Sequence, residues 1–136
     1  MLAVGKPRLK FVELGVAEYA KRISRYAKLE LTYLRRPEEL LKRSEGAFRV
    51  VLDERGELPT TREFAERVRG WKLSGQSRVA FLIGPHEGHP EEVRRAADWT
   101  MALSRLTLQH ELALLVLLEQ LYRVETLLAG HPYHRD

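Results

Sequence analysis

Cysteine is absent from the sequence, which removes disulfides, thiolate nucleophiles and cysteine-ligated zinc from the available chemistry. Asparagine is absent as well, glutamine occurs only at 76, 109 and 120, and arginine outnumbers lysine 17 to 6. Few thermolabile amides and many charges fit a heat-tolerant source, although a skewed genomic base composition gives the same bias. Long apolar runs are missing too. The longest, Leu112 to Leu118, falls well short of the roughly 20 residues that a membrane helix needs. Met1 to Pro7 has no charged segment leading into a long apolar stretch, so no secretory signal is expected and a cytoplasmic protein is the default. What remains, 136 residues with 44% apolar and 31% charged side chains, describes one soluble domain over 1–136.

Charge is unevenly distributed. Residues 1–50 carry 12 Lys and Arg against 6 Asp and Glu, whereas residues 51–136 carry 11 against 13. A basic half suits a polyanion-binding surface, because neutralised phosphates supply most sequence-independent affinity. Plain solvation of helix faces is the competing explanation.

Periodicity organises the chain into alternating strands and helices. Met1–Val4 reads as a strand stub broken by Gly5-Lys6-Pro7, and Leu9 to about Tyr26 repeats apolar residues at helical spacing. Lys28–Leu34 alternates as a strand, Pro37–Arg43 reads as a short helix, and Phe48–Leu52 as a strand ending at Asp53-Glu54-Arg55-Gly56. Thr60 or Thr61 caps a helix through Leu73, and Arg78–Ile83 is the strongest strand. Pro90 opens a short helix through Ala97, Trp99–Leu103 is a fifth strand, and a long helix runs from about His110 to Ala129 before Gly130 stops it. The pattern predicts a mostly parallel sheet with helices on both faces. Apolar residues surround the last helix from Leu112 to Tyr122, more than one sheet face covers, so a homodimer with this helix in the interface is expected.

Generic chemistry is sparse. The loop Gly84-Pro85-His86-Glu87-Gly88-His89-Pro90 lies beyond the carboxyl end of a strand, where α/β proteins place ligands, yet it matches neither GxGxxG nor Walker A and reads equally as a structural turn. The histidine pairs 86/89 and 131/134 fall in interrupted loops and no HExxH occurs, so no metal site is expected. No serine has a nucleophile-elbow context.

Several segments in order along the chain are more specific. They are Val4-Gly5-Lys6, Glu18-Tyr19-Ala20-Lys21-Arg22, Leu52-Asp53-Glu54-Arg55-Gly56, Phe81-Leu82-Ile83-Gly84 and Glu87-Gly88. Later come Leu103-Ser104, Leu106-Thr107-Leu108, His110, Glu119-Gln120-Leu121-Tyr122-Arg123 and the closing Tyr133-His134-Arg135. Together they resemble the ribosomal RNA large subunit methyltransferase H family of the SPOUT class, over the whole chain.

The resemblance implies a trefoil-knotted, three-layer α/β/α methyltransferase that binds S-adenosylmethionine and works as a homodimer. It implies a substrate as well: N3 of a pseudouridine in helix 69 of 23S ribosomal RNA in the assembled ribosome. On the same ground, the cofactor loops map onto Leu52, Gly84 and the stretch Leu103, Ser104, Arg105, Leu106, Thr107 and Leu108. Removal of the N3 proton calls for a base or polarising group, for which His110, His134 and Glu87 are candidates. Tyr133 and Arg135 are candidates for contacting phosphate or the base, the alternative for the tail being simple fraying. Pro85 and His86 depart from the family's usual Gly-Gly loop, Leu114 stands where relatives often carry Arg, and the first strand starts a few residues late. A transfer RNA methyltransferase and a non-catalytic RNA-binding module of the same fold are the alternative functions.

Overall fold

The computed structural model describes all 136 residues. The chain runs β1 (Leu2–Val4), α1 (Lys10–Ile23), β2 (Thr32–Leu34), α2 (Glu39–Arg43), β3 (Phe48–Glu57), α3 (Thr61–Leu73), β4 (Val79–Ile83), α4 (Glu91–Arg95), β5 (Trp99–Met101) and α5 (His110–Ala129). The strands form one sheet in the order β2-β1-β4-β3-β5, and every neighbouring pair is parallel.

Side chains alternate across a strand, and the two faces take up different helices. Phe81 and Ile83 of β4 join Val50, Phe64, Trp99 and Leu117 in a large core beneath α1, α3 and α5. Ala80 and Leu82 point the other way, into a smaller core with Leu40 of α2 and Val93 of α4. This is the three-layer α/β/α arrangement expected from the alternating pattern. Aromatic rings fill the large face: Trp71 lies 5.4 Å from Phe48 and 6.1 Å from both Phe81 and Trp99, centroid to centroid.

Local chemistry fixes the helix ends. Thr60 caps α3 by accepting from the Glu63 N–H, and the Glu63 carboxylate reaches back to the Thr60 N–H. Gln109 caps α5 by accepting from the N–H groups of Glu111 and Leu112. Gly130 ends that helix with φ at 75°, a left-handed turn that glycine takes without penalty.

Strand boundaries differ from the expected ones where long-range pairing decides. β2 is confined to Thr32–Leu34, α1 stops at Ile23 and β5 stops at Met101. The larger difference is β3, which continues through Asp53-Glu54-Arg55 to Glu57. These charged residues lack strand periodicity because a neighbour holds them: the ladder with β5 breaks after Leu52 and resumes with Glu57 opposite Met101. The Ala102 N–H donates to the Glu57 carbonyl at 2.7 Å. Gly56 passes so close to β5 that a Cβ would lie 2.6 Å from the Thr100 carbonyl carbon, so the crossing admits only glycine.

Helix α5 is covered mainly from within the chain. It lies against α1 and α3, and Leu114, Leu117, Leu118 and Val124 are buried in the large core. Leu117 and Leu118 are therefore core residues of the chain itself, and truncating either to Ala should cost about 2–5 kcal/mol. Leu114 packs here as an ordinary core residue. The uncovered apolar surface lies beside α5, on α1: Phe11 is 58% and Leu14 is 61% exposed. Neighbouring Gly15 abuts Leu115, whose Cδ1 would be 2.8 Å from an added Cβ.

Candidate functional site

The carboxyl ends of β4, β3 and β5 are adjacent, and they gather three separated pieces of sequence. Gly84 directly follows Ile83 at the end of β4, Leu52 pairs with Met101, and Leu103 lies two residues beyond it. Leu52, still within β3, thus lies level with the points where Gly84 and Leu103 leave the sheet, at the usual ligand position in parallel α/β folds. Within Leu103–Leu108, Leu103, Ser104 and Leu108 are half-buried, whereas Arg105, Leu106 and Thr107 are exposed. Leu106 is 76% exposed, an apolar side chain with no cover in the chain. Two hydrogen bonds restrain the loop: the Leu106 N–H donates to Ser104 Oγ at 2.9 Å, and Thr107 Oγ1 donates to Glu54 at 3.0 Å. The second joins it to the segment after Leu52.

Spacing does not single out His89, which reads as one half of a loop histidine pair. It is buried, and its Nε2 lies 3.1 Å from the Leu82 carbonyl, to which it donates as a neutral imidazole. Burial holds its pKa below the ordinary histidine value, against the opposing pull of the Leu82 carbonyl. The ring fills the space beside Gly84, where a Cβ would come within 3.0 Å of Cε1 and Nδ1. A side chain at 84 would therefore crowd a neighbour in the same chain, the His89 ring, which braces the end of β4.

The proposed acid–base groups fall into two places. His110 begins α5 at the loop edge; its Nδ1 is buried without a hydrogen-bond partner, and its ring lies 6.3 Å from that of His86. Glu87 is exposed on the turn after Gly84. Tyr133, His134 and Arg135 lie elsewhere, on the outer face of α5 beside Glu119 and Arg123. Those two residues are about 13 and 20 Å along the helix axis from His110, at 1.5 Å per residue.

The tail is docked. Tyr133 Oη donates to Glu119 at 2.9 Å, and its ring packs edge-on against Tyr122 at 4.6 Å. Arg123 donates to His134 Nδ1 at 3.1 Å, which leaves Nε2–H to donate to Asp136 at 2.7 Å. Asp136 also receives Arg62 at 2.7 Å, and these two partners, Arg62 foremost, pull its carboxyl down to about 2. Burial, together with Tyr19 and Glu119, raises the Tyr133 pKa above the usual phenol value, so this hydroxyl remains a donor. Arg135 is exposed and free of ion pairs. No group of three or more acidic or histidine side chains is placed to hold a metal ion, and no helix is long and apolar enough to cross a membrane.

A family model described as predicted SPOUT methyltransferase matches residues 1–134. The chain belongs to the SPOUT methyltransferase family. Within it, the chain is 61% identical to a ribosomal RNA large subunit methyltransferase H of Thermus thermophilus, over 99% of this chain and 96% of that one. The proteins of the same name from Anaeromyxobacter sp. strain K and Neisseria gonorrhoeae are 45% and 39% identical, and each match covers at least 99% of this chain and 97% of the relative. This SPOUT chain also superposes on a probable methylase family protein from Haemophilus influenzae Rd KW20. The TM-score is 0.58 at 12% identity, covering 99% of this chain and 68% of that structure, a likeness of fold.

Proposed function

We propose that this SPOUT methyltransferase transfers a methyl group from S-adenosylmethionine to N3 of a pseudouridine in helix 69 of 23S ribosomal RNA, on the assembled ribosome in the cytoplasm. The observation that carries the reading is the convergence of Leu52, Gly84 and residues 103–108 on one sheet edge, with Leu106 uncovered there. Such an edge fits the cofactor. Apolar side chains at 52, 103, 106 and 108 suit the adenine, and loop backbone groups suit its edge and the ribose. When bound, S-adenosylmethionine supplies a methyl group on a sulfonium, whose positive charge disperses during transfer. The remaining task is alignment, which a braced loop on rigid strands performs. The return of residues 53–57 across β5 at Gly56 supports the trefoil threading implied by the family resemblance.

Proton removal from N3 falls to His110 in this reading, because it begins α5 at the loop edge and no hydrogen bond within the chain engages its ring; its Nδ1 is buried, which leaves Nε2 as the proton acceptor. Glu87 is the second choice, exposed on the neighbouring turn. Both ring nitrogens of His134 are engaged within the chain, so His134 and Tyr133 serve better as donors and positioning groups. The tail is remote from the loop edge along α5, and it serves the edge of a second subunit in a homodimer. The uncovered Phe11 and Leu14 beside Leu115 give that dimer an apolar contact.

Mass mapping of ribosomal and transfer RNA from a strain lacking the gene, with and without complementation, tests the substrate. Loss and restoration of one methyl group in helix 69 supports the reading; a missing methyl group in transfer RNA alone replaces it. Absence of calorimetric S-adenosylmethionine binding would favour a non-catalytic RNA-binding module.

A further inference from the structure

The basic half of the chain has a specific location in the fold. Val4 pairs with Leu34, and the Gly5 N–H donates to the Leu34 carbonyl at 2.8 Å. Lys6 and Arg8 therefore leave the sheet level with Arg35 and Arg36. On the other side of β1, Ala3 pairs with Ile83, so the same level is that of Gly84. Neighbouring strands are about 4.8 Å apart, so the points where the chain leaves β1 and β2 lie one and two strand spacings, roughly 5 and 10 Å, from the end of β4.

All four side chains are exposed, and none forms an ion pair or hydrogen bond within the chain. The nearest acids are committed to backbone groups. Glu39 accepts from the N–H groups of Arg35 and Arg36 at 3.2 Å each. Glu111 accepts from those of Arg8 and Leu9 at 2.8 and 3.0 Å, and the Leu9 N–H above all keeps its carboxyl ionised below the usual range. Lys10 differs, lying 3.8 Å from Glu13. Elsewhere along the carboxyl edge Arg55 is neutralised by Asp53 and Arg94 by Glu91, while Arg105 in the 103–108 loop is exposed and unpaired. Glu38, exposed at the start of α2, and Glu87, exposed on the glycine loop itself, are the nearby acids without such a role.

We infer that the β1–β2 carboxyl edge, through Lys6, Arg8, Arg35 and Arg36, is a docking platform for the phosphodiester backbone of the substrate RNA beside its target nucleotide. The inference rests on the proposed RNA methyltransferase function and deepens it. RNA fits better than an acidic protein because the platform is level with the loop that receives the reacting base. A nucleotide delivered there brings its own flanking phosphates to within a few nucleotides' length of the platform. Unpaired guanidinium and ammonium groups give the salt-dependent attraction that phosphates elicit.

The test compares Lys6→Gln/Arg36→Gln with Lys42→Gln/Arg43→Gln, which removes the same charge from the far end of α2. Binding to a fluorescein-labelled single-stranded RNA and to unmodified ribosomes is measured across a salt series, alongside calorimetry with S-adenosylmethionine. The platform variant should bind both RNAs at least tenfold more weakly at low salt, with its slope in log affinity against log salt reduced by about 0.7 per lost phosphate contact. Cofactor affinity and thermal melting should match those of the wild type. Equal losses in the two variants, or no RNA binding by the wild type, would overturn the inference. RNA binding through this edge without methyl transfer would overturn the proposed function and leave the platform standing, whereas normal methylation with an unchanged RNA KM in the platform variant would do the reverse.

Discussion

The C-terminal tail and the 103–108 loop are both short irregular segments flanking α5, yet they are held in opposite ways. The tail spends nearly all its polar groups within the chain: Tyr133 on Glu119, His134 on Arg123 and Asp136, Asp136 on Arg62. The loop spends few, and it leaves Arg105 and Leu106 to solvent. A loop with an uncovered leucine gains from a ligand, whereas a docked tail is already positioned and needs a substrate brought to it. In the proposed function the difference separates cofactor binding from methyl transfer, so each should be breakable alone.

Deleting Tyr133–Asp136 should have the largest effect. Tritiated methyl incorporation into unmodified ribosomes should fall about 10²–10⁴-fold, the usual worth of acid–base and positioning groups. Titration of the same preparation with S-adenosylmethionine should give wild-type affinity. Full turnover would make the tail dispensable.

Gly84→Val comes next. The new side chain meets the His89 ring and pushes the loop from its place. Cofactor affinity should drop roughly tenfold or more, since misplacement by about 1 Å can cost 10²-fold in catalysis. Circular dichroism should report a folded protein, and unchanged affinity would separate this loop from the cofactor.

Leu106→Ser should act more mildly. Its side chain is 76% exposed, so stability should remain within about 0.5 kcal/mol. Covering part of a leucine is worth on the order of 1 kcal/mol, or several-fold in cofactor affinity. Calorimetry and a thermal melt read the two quantities separately.

The smallest effect concerns acid. Asp136 has a folded pKa of about 2, depressed by Arg62 and then by His134. A depressed carboxyl stabilises docking above its ordinary unfolded value near 3.9 and loses that contribution as pH falls toward 2. Protection against hydrogen exchange at residues 131–136, taken relative to the intrinsic rate at each pH, should therefore hold at pH 5 and fall between about 4 and 2. Exchange that is already fast at pH 5 would mean the tail is not docked.

Much of this is legible in the sequence, because the strong signals are local. Val79–Ile83 is a continuous apolar run, Thr60 or Thr61 marks the start of α3, and Gly130 stops α5; the structure has each, with Thr60 as the cap. The extension of β3 is hidden, because Asp53-Glu54-Arg55 is held by pairing with β5 and carries no apolar alternation. The coat of α5 reads in sequence as a subunit contact, whereas α1 and α3 bury Leu117 and Leu118 within one chain. In the candidate site, family resemblance supplies Leu52, Gly84 and the 103–108 loop, and the parallel register brings them to one edge. His89 escapes notice, as its role depends on reaching the Leu82 carbonyl seven residues back and on filling the space beside Gly84. Only the fold creates that contact.

In the proposed homodimer one subunit's loop edge works with its partner's tail, and mixed dimers test this most directly. At S-adenosylmethionine well below its wild-type Kd, Gly84→Val chains and chains lacking Tyr133–Asp136 should each be strongly impaired alone, and the two can be refolded together in equal amounts. In a two-fold dimer, half of the random pairs are mixed, and each mixed pair holds one intact edge facing one intact tail. The account predicts recovery of about a quarter of wild-type methyl transfer in the mixture. Activity no greater than that of the two separate variants would show that edge and tail act within a single chain, and would contradict it.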